Sequence, residues 1–216
     1  LMVVFGGLGG FFWGSWAAVP FFLAYGVLYG SAGDSRWHEC GHGTAFKTQW
    51  KNNAVYQLAS FMMMRSPTAW RWSHARHHTD TIIVGRDPEI IFQRPPALGR
   101  IAVNLVGLTD VPKGLWLTVR HAFGMVTPNE RDYVPESERP KIYREARVWL
   151  LIYGATIVAC VLTRSILPAM YIGLPRAYGA WHHICTGVTQ HSGLAEDTLD
   201  HRLNSRTITM NPISRF

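Results

Sequence analysis

Two short histidine clusters carry the clearest chemistry in the sequence. His38 and His42 lie in HECGH, and His74, His77 and His78 lie in HARHH. Residues three or four apart on a helix share a face, so each cluster would present its imidazoles as one stripe. Neutral imidazole is a common protein ligand for zinc, iron, copper and nickel. Five such side chains beside apolar segments therefore predict a metal site.

The number of metals separates two hypotheses. HECGH alone matches the HExxH pattern of zinc hydrolases, in which Glu39 would be the general base. One catalytic zinc needs about three protein ligands, which would leave most of HARHH without a role. A membrane protease of this kind would also carry a loop like NP…DG, and Asn211–Pro212 is followed by no Asp-Gly. A two-metal site uses both clusters, and we favour it.

Composition indicates an integral membrane protein. Hydrophobic residues make up 48% of the chain and charged residues 16%. The stretch 1–30 has no charged side chain, and a membrane-spanning helix needs about 20 consecutive apolar residues. We expect the end of one helix up to a hinge at the glycine pairs 6–7 and 9–10, and then a full span over 11–30. A cleaved signal peptide is disfavoured because the start has no basic residue.

Each histidine cluster is predicted to lie on a helix. A polar break at 31–36 precedes HECGH and is suited to cap a helix that carries it. Ser66 and Pro67 form a strong helix start, with Ser66 as the N-cap and Pro67 at the first helical position. That helix would run through HARHH, and the turn-rich segment 85–96 would end it.

Two further membrane spans are predicted in the second half of the chain. They cover 146–163 and 166–185, and the short joint Arg164–Ser165 makes them a helical hairpin. Segment 54–64 is predicted to lie at the membrane interface or in the protein core. Segment 97–126 is predicted to form one or two amphipathic helices, and 127–141 a charged loop.

The placement of charge orients these segments. The net charge is +7, and the basic residues between 36 and 100 flank apolar segments, as in cytoplasmic loops near a membrane. Nucleic-acid binding is therefore disfavoured. If no segment crosses between 34 and 147, the hairpin places 190–216 beside both histidine clusters. We predict one domain over 1–216: an all-α integral membrane helical protein with transmembrane hairpins, interfacial helices and a cytoplasmic histidine-box metal site.

Together the motifs resemble the membrane fatty acid desaturase and hydroxylase superfamily. HECGH matches its HxxxH box and HARHH its HxxHH box, with apolar spans on either side. The stretches WRWSHARHHTDTIIVGRDPEI and TQHSGLAEDTLDHRLNSRT are similar to its bacterial desaturase-like branch. The resemblance covers nearly the whole chain. It implies a non-haem di-iron centre that uses O2 and two electrons to attack an unactivated C–H bond.

A set of iron ligands follows from the resemblance. They are His38 and His42 of the first box, His74, His77 and His78 of the second, and His191 of QHSG. His183, about two helical turns before His191, is a weaker candidate. The family's final HxxHH box is not found before Phe216, whereas two irons need about eight protein donors. We therefore expect two or three further histidines beyond Phe216, and a chain truncated at both ends.

Nearby acids are expected to orient these rings. A metal-bound imidazole usually donates its other ring N–H to a carboxylate or a carbonyl. The candidate acceptors are Glu39, Asp80, Asp87, Glu196, Asp197 and Asp200. His121 and His182 are instead expected at the membrane interface.

The predicted function is that of a membrane di-iron enzyme, an O2-dependent fatty acyl desaturase. A lipid or hydrocarbon hydroxylase is the close alternative, and a membrane zinc protease is the distant one. The acyl chain would enter an apolar slot lined by 11–22 and 61–64. Electrons would come from a ferredoxin, a rubredoxin or a cytochrome b5 with its reductase, because the sequence shows no flavin or iron–sulfur motif. The expected location is a bacterial inner membrane, with the metal site facing the cytoplasm.

Overall fold

Helices and turns make up the described part of the chain, and no strand occurs there. The structure is a computed structural model that describes residues 1–31, 36–89, 97–207 and 209. The helices are α1 (Met2–Phe11), α2 (Ala18–Gly30), α3 (Arg36–His42), α4 (Gln49–Met63), α5 (Pro67–Thr79), α6 (Leu98–Asn104), α7 (Asp110–Ala122), α8 (Pro128–Tyr133), α9 (Arg139–Thr163), α10 (Leu167–Tyr171), α11 (Pro175–Tyr178), α12 (Ala180–His191) and α13 (His201–Asn204). The all-α class is confirmed. Three predicted features fall outside the described residues: the capping segment at 32–35, the end of the turn region at 90–96, and Asn211–Pro212.

The apolar front end forms two short helices, so the predicted span over 11–30 is wrong as one helix. The chain turns at 12–17, where Gly14 has a φ of +90°, a left-handed conformation that favours glycine. The predicted glycine hinge is also wrong, because α1 continues through both glycine pairs. Three of these glycines make room for aromatic side chains: Gly6, Gly9 and Gly10. A Cβ added at Gly9 would lie 3.0 Å from the Phe22 ring of α2.

One helical stretch among the described residues, Glu136–Thr163, is long and apolar enough to cross a membrane by length and composition. It ends where Arg164 takes a φ of +49°, so the predicted helix break at Arg164–Ser165 is confirmed. The transmembrane hairpin around this break is not confirmed, because the described residues contain one candidate span. The second predicted span, 166–185, is wrong as one helix, because α10, α11 and α12 divide it. Gly173 turns the chain with a φ of +90°, and Pro175, which lacks a backbone N–H, starts α11.

Both histidine clusters lie on helices, as predicted. HECGH lies on α3, and HARHH lies on α5. The predicted start of α5 is confirmed in detail: Pro67 is in its first turn, and the Ser66 side chain accepts a hydrogen bond from the backbone N–H of Ala69.

An aromatic core fixes α3 against α5. The Trp37 and Trp70 rings pack with centroids 4.1 Å apart, and Tyr56 of α4 stacks on Trp37 at 6.3 Å. Trp37 also donates a buried hydrogen bond to Ser60 Oγ at 2.8 Å. These buried aromatic contacts therefore fix the distance between α3 and α5, the two helices that carry the histidines.

Segment 97–126 forms two helices, α6 and α7, which agrees with the prediction of one or two. The charged loop predicted over 127–141 is wrong, because a capping box of Thr127 and Glu130 starts α8 there. The interfacial position expected for His121 is also wrong. Its side chain is buried, and its Nε2 lies 3.1 Å from Glu130 Oε2.

Adding one methyl group at Gly179 is expected to destabilise the fold. A Cβ at this position would overlap the backbone carbonyl of Gly26 in α2, so Gly179→Ala should lower the free energy of unfolding by about 1–3 kcal/mol. Gly154→Ala is the matched control, because a Cβ there has no neighbour within 4 Å inside α9. We expect it to stabilise by up to about 1 kcal/mol. Denaturant titration in detergent micelles measures both, and equal stabilities would contradict this packing.

Candidate metal centre

Four imidazoles from α3 and α5 converge on one point. The nearest ring nitrogens of His38, His42, His74 and His78, here called the four-histidine cluster, lie within 4.8 Å of one another. Nε2 of His74 is 3.0 Å from Nε2 of His78, and the His38 and His74 ring centroids are 4.7 Å apart. So many nitrogen donors in so small a volume suit a transition metal of the iron-to-zinc series.

His77 faces a different partner from the other histidines of HARHH. Its ring centroid lies 5.3 Å from that of His191, at the end of α12. The His77 ring is also 5.7 Å from His74 and 5.8 Å from His78, between centroids. The structure thus brings all six predicted ligands into one region, as a cluster of four with an adjoining pair.

Four of the six rings use Nδ1 for a hydrogen bond to a protein oxygen. The pairs are His38 with Glu39 at 3.1 Å, His74 with Glu89 at 3.2 Å, His77 with Asp87 at 2.8 Å, and His191 with the Asn204 carbonyl at 2.8 Å. A carbonyl oxygen only accepts, so His191 carries its proton on Nδ1. Such bonds fix the tautomer and leave Nε2 available to a metal, as is usual for metal-binding histidines.

Five of the six predicted acceptors divide into two groups. Asp87 and Glu39 contact histidines, but Asp80, Asp197 and Asp200 have other partners. Asp80 pairs with Arg76 and Arg86, Asp197 accepts from the Val84 backbone N–H, and Asp200 caps α13 and pairs with Arg202. Asp80 lies one turn after Arg76 on the same helix face, which explains why it pairs with Arg76 and not with a histidine.

Two residues that hold the histidine rings, Glu89 and Asn204, were not among the predicted acceptors. Glu89 also accepts from Ser73 Oγ at 2.8 Å, so its carboxylate joins two neighbouring α5 side chains. Asn204 is fully buried, and its side chain donates to the Thr81 and Thr198 carbonyls at 3.0 Å each. The only available signal for Glu89 was its place in the turn directly after HARHH.

Burial and mutual repulsion lower the pKa values of two histidines of the cluster, His42 and His78. Burial, followed by the charges of His74 and His42, lowers the pKa of His78 to about 4. Burial also lowers the pKa of His42, with His38 and His74 adding to the effect. Burial would lower the pKa of His77 as well, but the hydrogen bond with Asp87 and the negative charges of Glu89 and Asp87 together outweigh burial and raise that pKa. Neutral imidazole is the form that binds metal, so the lowered pKa values of His42 and His78 favour metal binding at pH 7.

Removing the Asp87 carboxylate should weaken metal binding without removing a ligand. Asp87 holds His77 Nδ1 and the backbone N–H of Ile82, each at 2.8 Å. We expect Asp87→Ala to lower metal affinity by roughly 10- to 100-fold. Glu136→Ala is the control, because Glu136 is exposed just before α9 and pairs with Arg139 rather than with a histidine of the centre. Metal titration followed by elemental analysis measures both variants, and equal affinities would contradict the role of Asp87.

The residues predicted to line one apolar slot are divided between two separate cavities. One of about 510 Å³ is lined by Trp13, Trp16, Phe22 and Leu23 of the front end, with Met170 and Tyr178. The other, here called the inner cavity, has about 400 Å³ and lies between α5, α7, α9 and α12. Met63, Met64 and His183 line it. His183 is not a member of the four-histidine cluster.

Comparison with known proteins identifies the family. The family model described as "Fatty acid desaturase" matches residues 14–216. An acyl-lipid (9+3)-(E)-desaturase of Dimorphotheca sinuata is 26% identical over 172 residues, which are 73% of this chain and 45% of that protein. The omega-6 fatty acid desaturase, endoplasmic reticulum isozyme 1, of Glycine max is 32% identical over 100 residues, 39% of this chain and 26% of that protein. The chain therefore spans less than half the length of these relatives, and no solved structure matches it significantly. With a family match over residues 14–216 and histidines that converge from both boxes, the chain belongs to the fatty acid desaturase family.

Proposed function

We propose that the protein is a membrane-bound, non-haem di-iron oxidoreductase that desaturates fatty acyl chains with O2. The observation that carries this proposal is the convergence of six histidines, four of them with Nδ1 already bonded to a protein oxygen. Neutral nitrogen donors are suitable ligands for iron. A cluster of four histidines beside a pair of histidines fits two metal ions better than one. Family membership supports a fatty acyl substrate.

Each group of residues would have a distinct task. The four-histidine cluster would hold one iron, and His77 with His191 would contribute to the second. Iron bound at these positions would supply the O2-dependent oxidising chemistry that removes hydrogen from an unactivated C–H bond. Glu39, Glu89, Asp87 and Asn204 keep the rings oriented through Nδ1. Trp70, which stacks on His74 at 5.4 Å, excludes water from that side of the ring.

The membrane arrangement is part of the same proposal. α9 would cross the bilayer, because its exposed surface is apolar over Leu151, Ile157, Val161 and Leu162. α1 with α2, and α10 to α12, would complete hairpins within the apolar layer. The basic residues around α3 to α5 then favour a cytoplasmic metal centre, in a bacterial inner membrane. The electrons would arrive from a ferredoxin, a rubredoxin or a cytochrome b5 type of donor with its reductase.

Metal identity and stoichiometry test the proposal most directly. We expect two irons per chain in the intact protein purified from membranes, measured by elemental analysis and Mössbauer spectroscopy. One zinc per chain would overturn the proposal in favour of an HExxH hydrolase. Product analysis with acyl substrates then separates a new double bond from a new hydroxyl group, because both reactions begin with the same hydrogen abstraction.

A further inference from the structure

Trp70 connects the candidate metal centre to the aromatic core between α3 and α5. Its ring lies nearly parallel to that of His74, with an interplanar angle of 18° and centroids 5.4 Å apart. It also packs on Trp37, whose ring is buried and stacks on Tyr56. Indole is one of the most readily oxidised side chains of a protein. An oxidant formed at the four-histidine cluster would therefore meet an oxidisable ring that contacts one of the proposed ligands.

The proposed chemistry can supply such an oxidant. When O2 accepts two electrons and two protons without an acyl chain to react with, the product is hydrogen peroxide. Peroxide oxidises an indole by two electrons: its O–O bond breaks, one oxygen atom forms a bond to a ring carbon, and the other leaves as water. The product is larger and more polar than tryptophan, so it would disturb the contacts of Trp70 with Trp37 and His74.

A permanent cation lies beside this ring. The guanidinium carbon of Arg65 is 4.6 Å from the Trp70 ring centroid and 5.8 Å from that of Trp37. Among the described residues, no carboxylate lies within 4 Å of the cationic group of Arg65. Asp110, which lines the inner cavity together with Arg65, pairs with Arg176 at 3.3 Å. The positive charge of Arg65 is thus directed at the two indole rings.

A positive charge at this distance opposes oxidation of the ring. An indole that gives up electrons becomes positively charged, and a neighbouring cation repels that charge. The reduced ring, in contrast, attracts the cation through its electron-rich face. Both Arg65 and Trp70 are half-buried, so water and salt screen these effects less than at an exposed site. Arginine suits this position because its guanidinium stays protonated and stacks on aromatic rings.

We propose that Arg65 protects Trp70 from oxidation by peroxide formed at the metal centre. The inference rests on the proposed function, because that function brings O2 and electrons to the four-histidine cluster. It also goes beyond the proposed function, since it assigns Arg65 to the preservation of the site and not to the reaction itself. Loss of this protection is a chemical modification of one tryptophan, which can be measured without following desaturation.

The test is the extent of Trp70 oxidation in the intact, iron-loaded protein in detergent micelles. After brief treatment with hydrogen peroxide and digestion, tandem mass spectrometry gives the fraction of Trp70 that carries an added oxygen. We expect Arg65→Gln to raise this fraction by roughly three- to tenfold. Arg65→Lys keeps the positive charge and should stay within about twofold of the unaltered protein. Both variants lose the planar guanidinium, so a role in packing alone would give the same increase in both.

Arg120→Gln is the matched control. Arg120 lies over the Trp116 ring with its guanidinium carbon 4.7 Å from the centroid, so this variant removes the same kind of contact from α7. Trp116 is exposed, and its ring has no contact with a ring of the six candidate ligands in the described part of the chain. Oxidation of Trp70 should therefore be unchanged in Arg120→Gln.

Protein prepared without iron shows where the oxidant forms. We expect Trp70 oxidation to fall strongly in all variants when iron is absent. If iron-loaded Arg65→Gln shows no increase, or if Arg65→Lys increases as much as Arg65→Gln, the inference is overturned. Failure of the proposed function would show separately, as protein that binds no iron and whose Trp70 oxidation is the same whether or not iron is supplied.

Discussion

Replacing His78 with alanine is expected to remove most of the iron in the proposed centre and to lower the proposed desaturation by at least about a hundredfold. His78 Nε2 lies 3.0 Å from His74 Nε2, and the His78 ring centroid is 4.8 Å from that of His42. Loss of an outer partner of a metal ligand already costs about 10- to 100-fold, so loss of a ring at the centre should cost more. Iron per chain and turnover in isolated membranes measure the two effects.

His201→Ala is the matched control for that prediction. His201 is exposed at the start of α13 and belongs to neither the four-histidine cluster nor the His77–His191 pair. We expect this variant to keep its iron. If His78→Ala keeps its iron as well, the metal does not bind where α3 and α5 meet.

Glu39→Gln separates the desaturase proposal from the zinc-protease alternative. The Glu39 carboxylate accepts from the Thr44 hydroxyl and lies 3.1 Å from His38 Nδ1, with 55% of its side chain exposed. In our proposal it only orients one ring, so iron should remain bound. A zinc hydrolase would instead lose its general base and all of its proteolysis.

Local signals in the sequence predicted the elements of the site well. The Ser66–Pro67 helix start and the spacing of histidines within HECGH and HARHH depend on neighbours only a few residues away. The oxygens that hold the rings were harder to predict. Asn204 lies 123 residues from Thr81, whose carbonyl it binds, and no local pattern shows such a contact.

Hydropathy alone did not locate the helix breaks in the apolar segments. Segments 11–30 and 166–185 have suitable composition for spans, but Gly14 and Gly173 turn the backbone with positive φ inside them. A glycine in an apolar run is compatible with both a continuous helix and a turn, because it adopts either conformation at little steric cost. Packing decides between them, as with the aromatic rings that close against the glycines of α1.

Glu145→Ala is expected to destabilise the protein by about 2–4 kcal/mol and to reduce its iron content. Glu145 lies on α9, and its carboxylate accepts from Thr68 Oγ1 at 2.6 Å, Ser66 Oγ at 3.0 Å and the Thr68 backbone N–H at 3.3 Å. A hydrogen bond to a charged group contributes about 1.5–3 kcal/mol, and a negative charge also favours the N-terminus of a helix. Glu145 thus ties the start of the HARHH helix to the apolar helix α9.

The controls for Glu145 separate anchoring from charge. Glu145→Gln keeps one acceptor oxygen and should lose about half of the effect, whereas Glu138→Ala breaks only an exposed pair with Lys141 and should cost less than about 1 kcal/mol. Denaturant titration in micelles and iron per chain measure all three variants. If Glu145→Ala lowers stability while iron content stays full, α5 reaches the metal centre without this anchor. If both fall together, the position of HARHH depends on α9, so the apolar helix sets the geometry of the histidine site.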